Sequence, residues 1–235
     1  MRDLEESEGE AAAIYTIYSR PKVGKTTLSL KDAPKKKTAI LSADRGLMGI
    51  DTTGFTVEED VSAKNLNRLM ASNSSFLRSH TRIVVDTATA LHASMLFEMT
   101  KGGGASQAQY GTANSALLAI VRNLRDEKDK EVILLCQEKL ILPNEDWVSE
   151  DDDEDTGVMT TVDLSPGAAS GLLQMSDVIG RLYVAHVDGK PVRRLWLGPS
   201  SSIVAGARSQ VYTGNPPYLK LPTIGKLNQL LGWTG

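Results

Sequence analysis

Apolar residues come in short runs separated by mixed segments of helical length, with no internal repeat. Residues 12–18 (AAIYTIY) predict an aromatic-rich strand, and the segment from Lys25 to Lys31 predicts the start of a helix. Residues 36–44 (KKTAILSAD) predict a buried strand with a polar end, and a helix is predicted over about 63–77. Residues 81–89 (TRIVVDTAT) carry a four-residue apolar core ending in aspartate, the pattern of a strand covered on both faces. Helices are predicted near 90–99 and 112–127, separated by a flexible linker, KGGGASQAQYG (101–111). EVILLCQ (131–137) predicts a fourth buried strand.

Beyond Gln137 the pattern dissolves. Residues 138–167 read as an irregular insert with a block of acids, followed by a small helix over 168–175. Residues 177–198 predict a β-hairpin turning at Asp188-Gly189, and 223–233 a short amphipathic closing helix. Short apolar strands alternating with helices predict an α/β fold, a mainly parallel sheet flanked by helices with a C-terminal β-hairpin. The organisation expected is a flexible tail over 1–11 and one domain over 12–235, with the acidic insert near 143–157.

Composition adjusts this picture only modestly. Hydrophobic residues make up 41% and charged residues 23% of the 235 positions, ordinary for a globular chain. No apolar run reaches 18 residues, and the acidic N-terminus does not read as a signal peptide. One cysteine, Cys136, excludes a disulfide framework and fits a reducing cytoplasm, where it reads as a buried strand residue. His80, His92 and His186 show no metal-ligand spacing. The net charge of −3 offers no general attraction to nucleic acid, so any such contact has to be local.

The chemistry concentrates in IYSRPKVGKTTLSL (17–30). A phosphate-binding loop reads glycine, four residues, then Gly-Lys-Ser/Thr; here Ser19 stands at the first glycine. The strand before and helix after are the context such a loop requires. Ser19, Arg20, Pro21, Lys22, Val23, Gly24, Lys25, Thr26 and Thr27 are the expected ATP-binding residues. Gly24 admits close backbone approach, Lys25 brings charge to the outer phosphates, and Thr26 offers a hydroxyl to Mg²⁺. Ser19 replaces a residue that eases the turn, not one that ligates. Asp86, ending its strand, is the expected second metal residue; the alternative is a cap for the following helix.

The order of IYSRPKVGKTTL, AILSADRGL, RIVVDTATAL, YGTANSALLAIVRNL, EVILLCQEK, MSDVIGRLYV and AGARSQVY, over about residues 13–212, resembles the small RecA-like P-loop ATPases of bacteriophages, a group of AAA-type ATP-binding proteins that includes single-strand annealing and recombination-stimulating members. The resemblance implies a RecA-like P-loop NTPase core and four catalytic candidates. Asp44, in SADRG, takes the place of the acid that polarises the attacking water. Gln137 takes that of the polar residue sensing the γ-phosphate, and Arg208 that of a basic residue reaching a neighbour's γ-phosphate, unless it is a surface ion pair. Lys25 is the fourth, and Arg193 and Arg194 are weaker candidates of Arg208's kind. Two loops would meet single-stranded DNA. The first offers Lys101 and Tyr110, the tyrosine as a stacking platform. The second carries Trp147 inside an acidic stretch, NEDWVSEDDDED (144–155), that repels a phosphate backbone. Glu138 reads as a solvated neighbour of Gln137. The resemblance thus implies a Mg²⁺-dependent ATPase that binds single-stranded DNA, self-associates into a ring or filament and aids phage recombination. A nucleotide-dependent loading factor without its own DNA site is the alternative, and a small-molecule kinase a more distant one.

Overall fold

The computed structural model describes residues 12–71, 74–142 and 157–233. In chain order come β1 (Ala13–Ser19), α1 (Lys25–Leu30), β2 (Thr38–Ser42), β3 (Thr56–Glu58), α2 (Ala63–Leu69) and α3 (Ser75–Ser79). Then follow β4 (Arg82–Asp86), α4 (Ala88–Thr100), α5 (Gln107–Arg125), β5 (Glu131–Ile141), β6 (Met159–Val162) and α6 (Pro166–Met175). The chain ends with β7 (Val178–Val187), β8 (Lys190–Trp196), β9 (Gly206–Ala207), β10 (Tyr218–Lys220) and α7 (Ile224–Leu231).

The main sheet has the order β10-β8-β7-β1-β5-β4-β2-β3. From β7 to β3 every neighbouring pair is parallel, while β8 and β10 join antiparallel. This is the mainly parallel α/β fold with a C-terminal hairpin that the run pattern predicts. The hairpin turns at Asp188 and Gly189, both at positive φ (50° and 73°), as a two-residue turn between twisted strands requires.

Alternation along the strands builds two apolar layers. Ile14, Tyr18, Leu41, Ile83, Val85, Val132 and Leu134 enter the layer shared with residues of α2 to α6. Tyr15, Ile17, Ile40, Val84, Ile133 and Leu135 enter the opposite layer, under α1 and α7. Burial on both faces is why these strands read as unbroken apolar runs.

Three expectations are corrected. The helix expected over 63–77 is two helices, because Ser62 and Ser74 each accept an N-cap hydrogen bond, from the Asn65 and Leu77 amides. The linker expected over 101–111 is shorter, because Ser106 and Gln109 form a capping box that starts α5 at Gln107; Tyr110 is therefore helical. The insert expected to be irregular from 138 begins as strand, with Glu138–Ile141 of β5 pairing antiparallel with Met159–Val162 of β6. The short strands β3, β9 and β10, of two or three residues each, had no run long enough to predict. The tail over 1–11, Trp147 and the acidic block lie outside the described residues. Among the described residues no helix is long and apolar enough to cross a membrane.

Candidate functional site

Strand alternation sets the site. Ser19 shares a face with Ile17, Gln137 with Leu135, Asp86 with Val84 and Ser42 with Ile40, all on the α1 side of the sheet. Ser19, Asp86 and Ser42 end their strands and Gln137 lies within β5; the four strands are adjacent and parallel, with Ser19 opposite Gln137 and Ser42 opposite Asp86 in register. The chain leaving β1 turns through Lys22 (φ 63°) and Gly24 (φ 105°), then enters α1 at Lys25. Gly24 is required by its left-handed backbone, and a Cβ there would also press on the flexible Arg193 side chain, 2.9 Å away.

Lys25 is buried, and its Nζ donates to Ser19 Oγ (3.2 Å), Gln137 Oε1 (3.3 Å) and the Ser19 and Arg20 carbonyls (3.4 Å each). Burial lowers the pKa of its ammonium, with the Asp86 carboxylate opposing. Thr26 Oγ1 donates to Asp86 Oδ2 at 2.6 Å. Burial pushes the Asp86 carboxyl above its ordinary value, the Thr26 hydrogen bond pulls it down, and the Asp44 charge adds to the rise. The helix-cap alternative for Asp86 falls to its neighbour, since Thr87 accepts from the Ala90 amide as N-cap of α4.

Asp44 is exposed just past β2, and its Oδ1 accepts from the Gly46 amide at 2.9 Å. It caps its own loop while its field reaches both Lys25 and Asp86. The Gln137 backbone N–H donates to Thr89 Oγ1 at 3.1 Å, tying this part of β5 to α4. Pro21, Lys22 and Thr27 form the exposed rim of the loop, with Val23 half-buried. A cleft of about 60 Å³ beside it is lined by Gly24, Thr27, Lys31, Arg193, Leu221 and Pro222, among others.

The remaining candidates are Arg193, Arg194, Arg208, Lys101 and Tyr110. Arg193 touches the loop of its own chain, its Nε donating to the Val23 carbonyl at 2.8 Å. Arg194 lies 4.2 Å over the Tyr218 ring. Arg208 is paired with Asp177 (2.9 Å) and donates to the Gln174 carbonyl, so its ion-pair alternative is the arrangement present. It follows β9, which pairs with the first residues of β7, so Arg208 sits at the edge of the sheet opposite the loop. Lys101 caps α4 at φ 49°, and Tyr110 lies on the first turn of α5; both are exposed.

Glu138 corrects the sequence reading most sharply. Its side chain is only 5% exposed and holds two guanidinium groups, Arg20 Nε at 3.1 Å and Arg181 Nε at 3.0 Å. No residue pattern announced it, because QEKLI runs three polar and then two apolar residues without the alternation of a half-buried strand. Cys136 is fully buried as expected, its thiol pushed up to about 12 by desolvation. His80 bonds the Phe76 carbonyl and Thr56, and His92 bonds Asn114, all structural contacts.

Among the described residues no group of three His, Cys, Asp or Glu assembles a metal cage. Thr26 and Asp86, joined by a short hydrogen bond, fit a cation that takes most of its ligands from phosphate and water, the habit of Mg²⁺.

A family model described as an AAA domain matches residues 11–209. Among solved structures, a KaiC-like protein from the hyperthermophilic archaeon Pyrococcus horikoshii is similar over 81% of this chain and 80% of its own. Their identity is 9% and the TM-score 0.41. No curated protein matches the chain.

Proposed function

The chain belongs to the AAA domain family, and on that premise we propose that it binds ATP with Mg²⁺ and hydrolyses the β–γ phosphoanhydride. The observation that carries the reading is the pairing of Thr26 with Asp86 at 2.6 Å beside a buried Lys25 that reaches Gln137. Lys25 exchanges its four long contacts for phosphate oxygens, a stronger charge-assisted partner. Thr26 and Asp86 hold the metal; Mg²⁺, when bound, neutralises charge on the phosphates. Asp44 takes a proton from the attacking water, and Gln137, released by Lys25, donates through its amide to the γ-phosphate. Steady-state ATP turnover tests this reading. Asp44→Ala is expected to lose hydrolysis while keeping ATP affinity, and unchanged hydrolysis removes Asp44 from the mechanism.

On the resemblance to phage recombination ATPases, the proposal extends to single-stranded DNA, met by Lys101 and Tyr110, and to self-association into a ring or filament. Arg208 reaches a neighbour's nucleotide only by giving up Asp177. The net charge of −3 favours the second reading, a nucleotide-dependent loading factor without a DNA site of its own. An electrophoretic shift separates the two, run with single- and double-stranded DNA, with and without ATP, at two salt concentrations. Single-strand binding that weakens steeply with salt supports the first reading. No shift at low salt leaves the second.

A further inference from the structure

Buried hydroxyls in and beside this sheet are satisfied almost without exception. Thr16 bonds Ser176, Ser29 bonds the Thr26 carbonyl, Thr38 bonds the Pro34 carbonyl, and Ser19 bonds the Arg20 carbonyl. Ser42 does not follow them. It is fully buried at the last position of β2, and its Oγ has no hydrogen-bond partner among the described residues. Among the described residues the one other buried side-chain atom in that condition is Arg194 Nε, whose guanidinium lies on the Tyr218 ring.

A hydroxyl withdrawn from water and left unpaired destabilises a fold, whereas alanine at the same place carries no such penalty. A native orphan of this sort calls for an ion or water that the chain itself does not supply. Its location narrows the choice. Ser42 is the register partner of Asp86, on a strand roughly 4.8 Å away, and both side chains face α1. The two strand ends are tied, the Ala43 amide donating to the Asp86 carbonyl at 2.8 Å. Asp86 Oδ2 is taken by Thr26, and two residues beyond Ser42 stands Asp44.

We infer that Ser42 belongs to the metal end of the nucleotide site, where its hydroxyl hydrogen-bonds the hydration shell of a Mg²⁺ held by Thr26 and Asp86. The inference rests on the ATP-binding reading above. Ser42 acts as a positioning residue: it orients the shell without ligating the metal, and it ranks Mg²⁺, which keeps its waters, above a cation that sheds them.

The test is isothermal titration of the full chain with ATP, first in EDTA and then at stepped Mg²⁺, for the wild type and Ser42→Ala. Thermal melting of both nucleotide-free proteins accompanies it. Expected is a Ser42→Ala protein that melts no lower than the wild type and binds metal-free ATP equally well. It is expected to need about ten-fold more Mg²⁺ to reach half of the metal-supported gain in affinity, as loss of an outer-shell partner does at other metal sites. An unchanged Mg²⁺ requirement overturns the inference and leaves the ATPase reading standing. So does an equal loss of affinity with and without Mg²⁺, or a lowered melting temperature, because each assigns the hydroxyl a purely structural role. A wild type that binds no ATP under any condition overturns the ATP-binding reading itself, and the inference with it.

Discussion

The two edges of the parallel sheet are both charged and both partly buried, yet they are finished differently. At the edge where the strands begin, Arg82 meets Glu131 at 2.7 Å, Asp32 at 2.9 Å and the Ser29 carbonyl at 3.1 Å. Asn228 closes the set by donating to Glu131 and accepting from Tyr15. Asp177 is shared between the Ile14 amide and Arg208. At the edge where the strands end, Lys25 spreads its charge over four contacts of 3.2–3.4 Å, Asp86 is held against its ionised form, and Ser42 has no partner. Charge-assisted bonds of ordinary strength run to about 2.7–2.9 Å. The first edge largely meets that standard within the chain. At the second the Thr26–Asp86 pair meets it at 2.6 Å, while Lys25 does not.

Breaking the saturated edge should have the largest effect. Arg82→Ala leaves Asp32 and Glu131 without their shared cation, and urea denaturation is expected to show a loss of about 3–5 kcal/mol. Lys25→Ala should do the reverse. ATP turnover falls at least about 100-fold, equivalent to about 2.7 kcal/mol of transition-state stabilisation, while the melting temperature stays level, because a desolvated ammonium has been removed. A Lys25→Ala protein as destabilised as Arg82→Ala would erase the distinction between the edges.

Acidity separates them next. Burial alone would raise the Asp32 carboxyl, but hydrogen bonds from Thr223, Arg82 and Gly225 hold it below its ordinary value. Its stabilisation is therefore present above the unfolded pKa and lost as pH falls through the folded one. Asp86 is raised, so its effect has the opposite sign: stability is fully present below the unfolded pKa and lost as pH rises through the folded one. In scanning fluorimetry from pH 4 to 8, Asp86→Asn should raise the melting temperature of the nucleotide-free protein near neutrality and Asp32→Asn should lower it. The smallest effect is expected from Arg208→Ala, whose side chain is 57% exposed, at about 1 kcal/mol or less and shrinking with salt. A larger loss would move Arg208 from the surface to the frame.

The order of strands and helices was legible in the sequence because burial on two faces writes continuous apolar runs, and those runs are local. The loop was legible for the same reason: Gly24, Lys25 and Thr26 follow one such run and open one helix. What sequence could not give was partnership across distance. Glu138 meets residues 118 and 43 positions away, so an acid that looks solvated beside Gln137 is instead buried between two arginines. Arg193 reaches a loop 170 positions earlier, and nothing around PVRR announces it. Ser42 looked like an ordinary strand end, since an unmet hydroxyl leaves no trace in a residue pattern. The start of α5 is a different case. Its capping box, Ser106 with Gln109, was in plain view, and the run of glycines before it masked the signal.

The buried Glu138 has a mechanical consequence. It grips Arg20 just past β1 and Arg181 on β7, so it links three neighbouring strands, β5, β1 and β7. The β7–β8 hairpin and the loop are therefore joined by a charged contact as well as by the apolar layers. Because Glu138 also begins the paired segment of the β5–β6 arm, that arm and the hairpin meet the loop at one carboxylate.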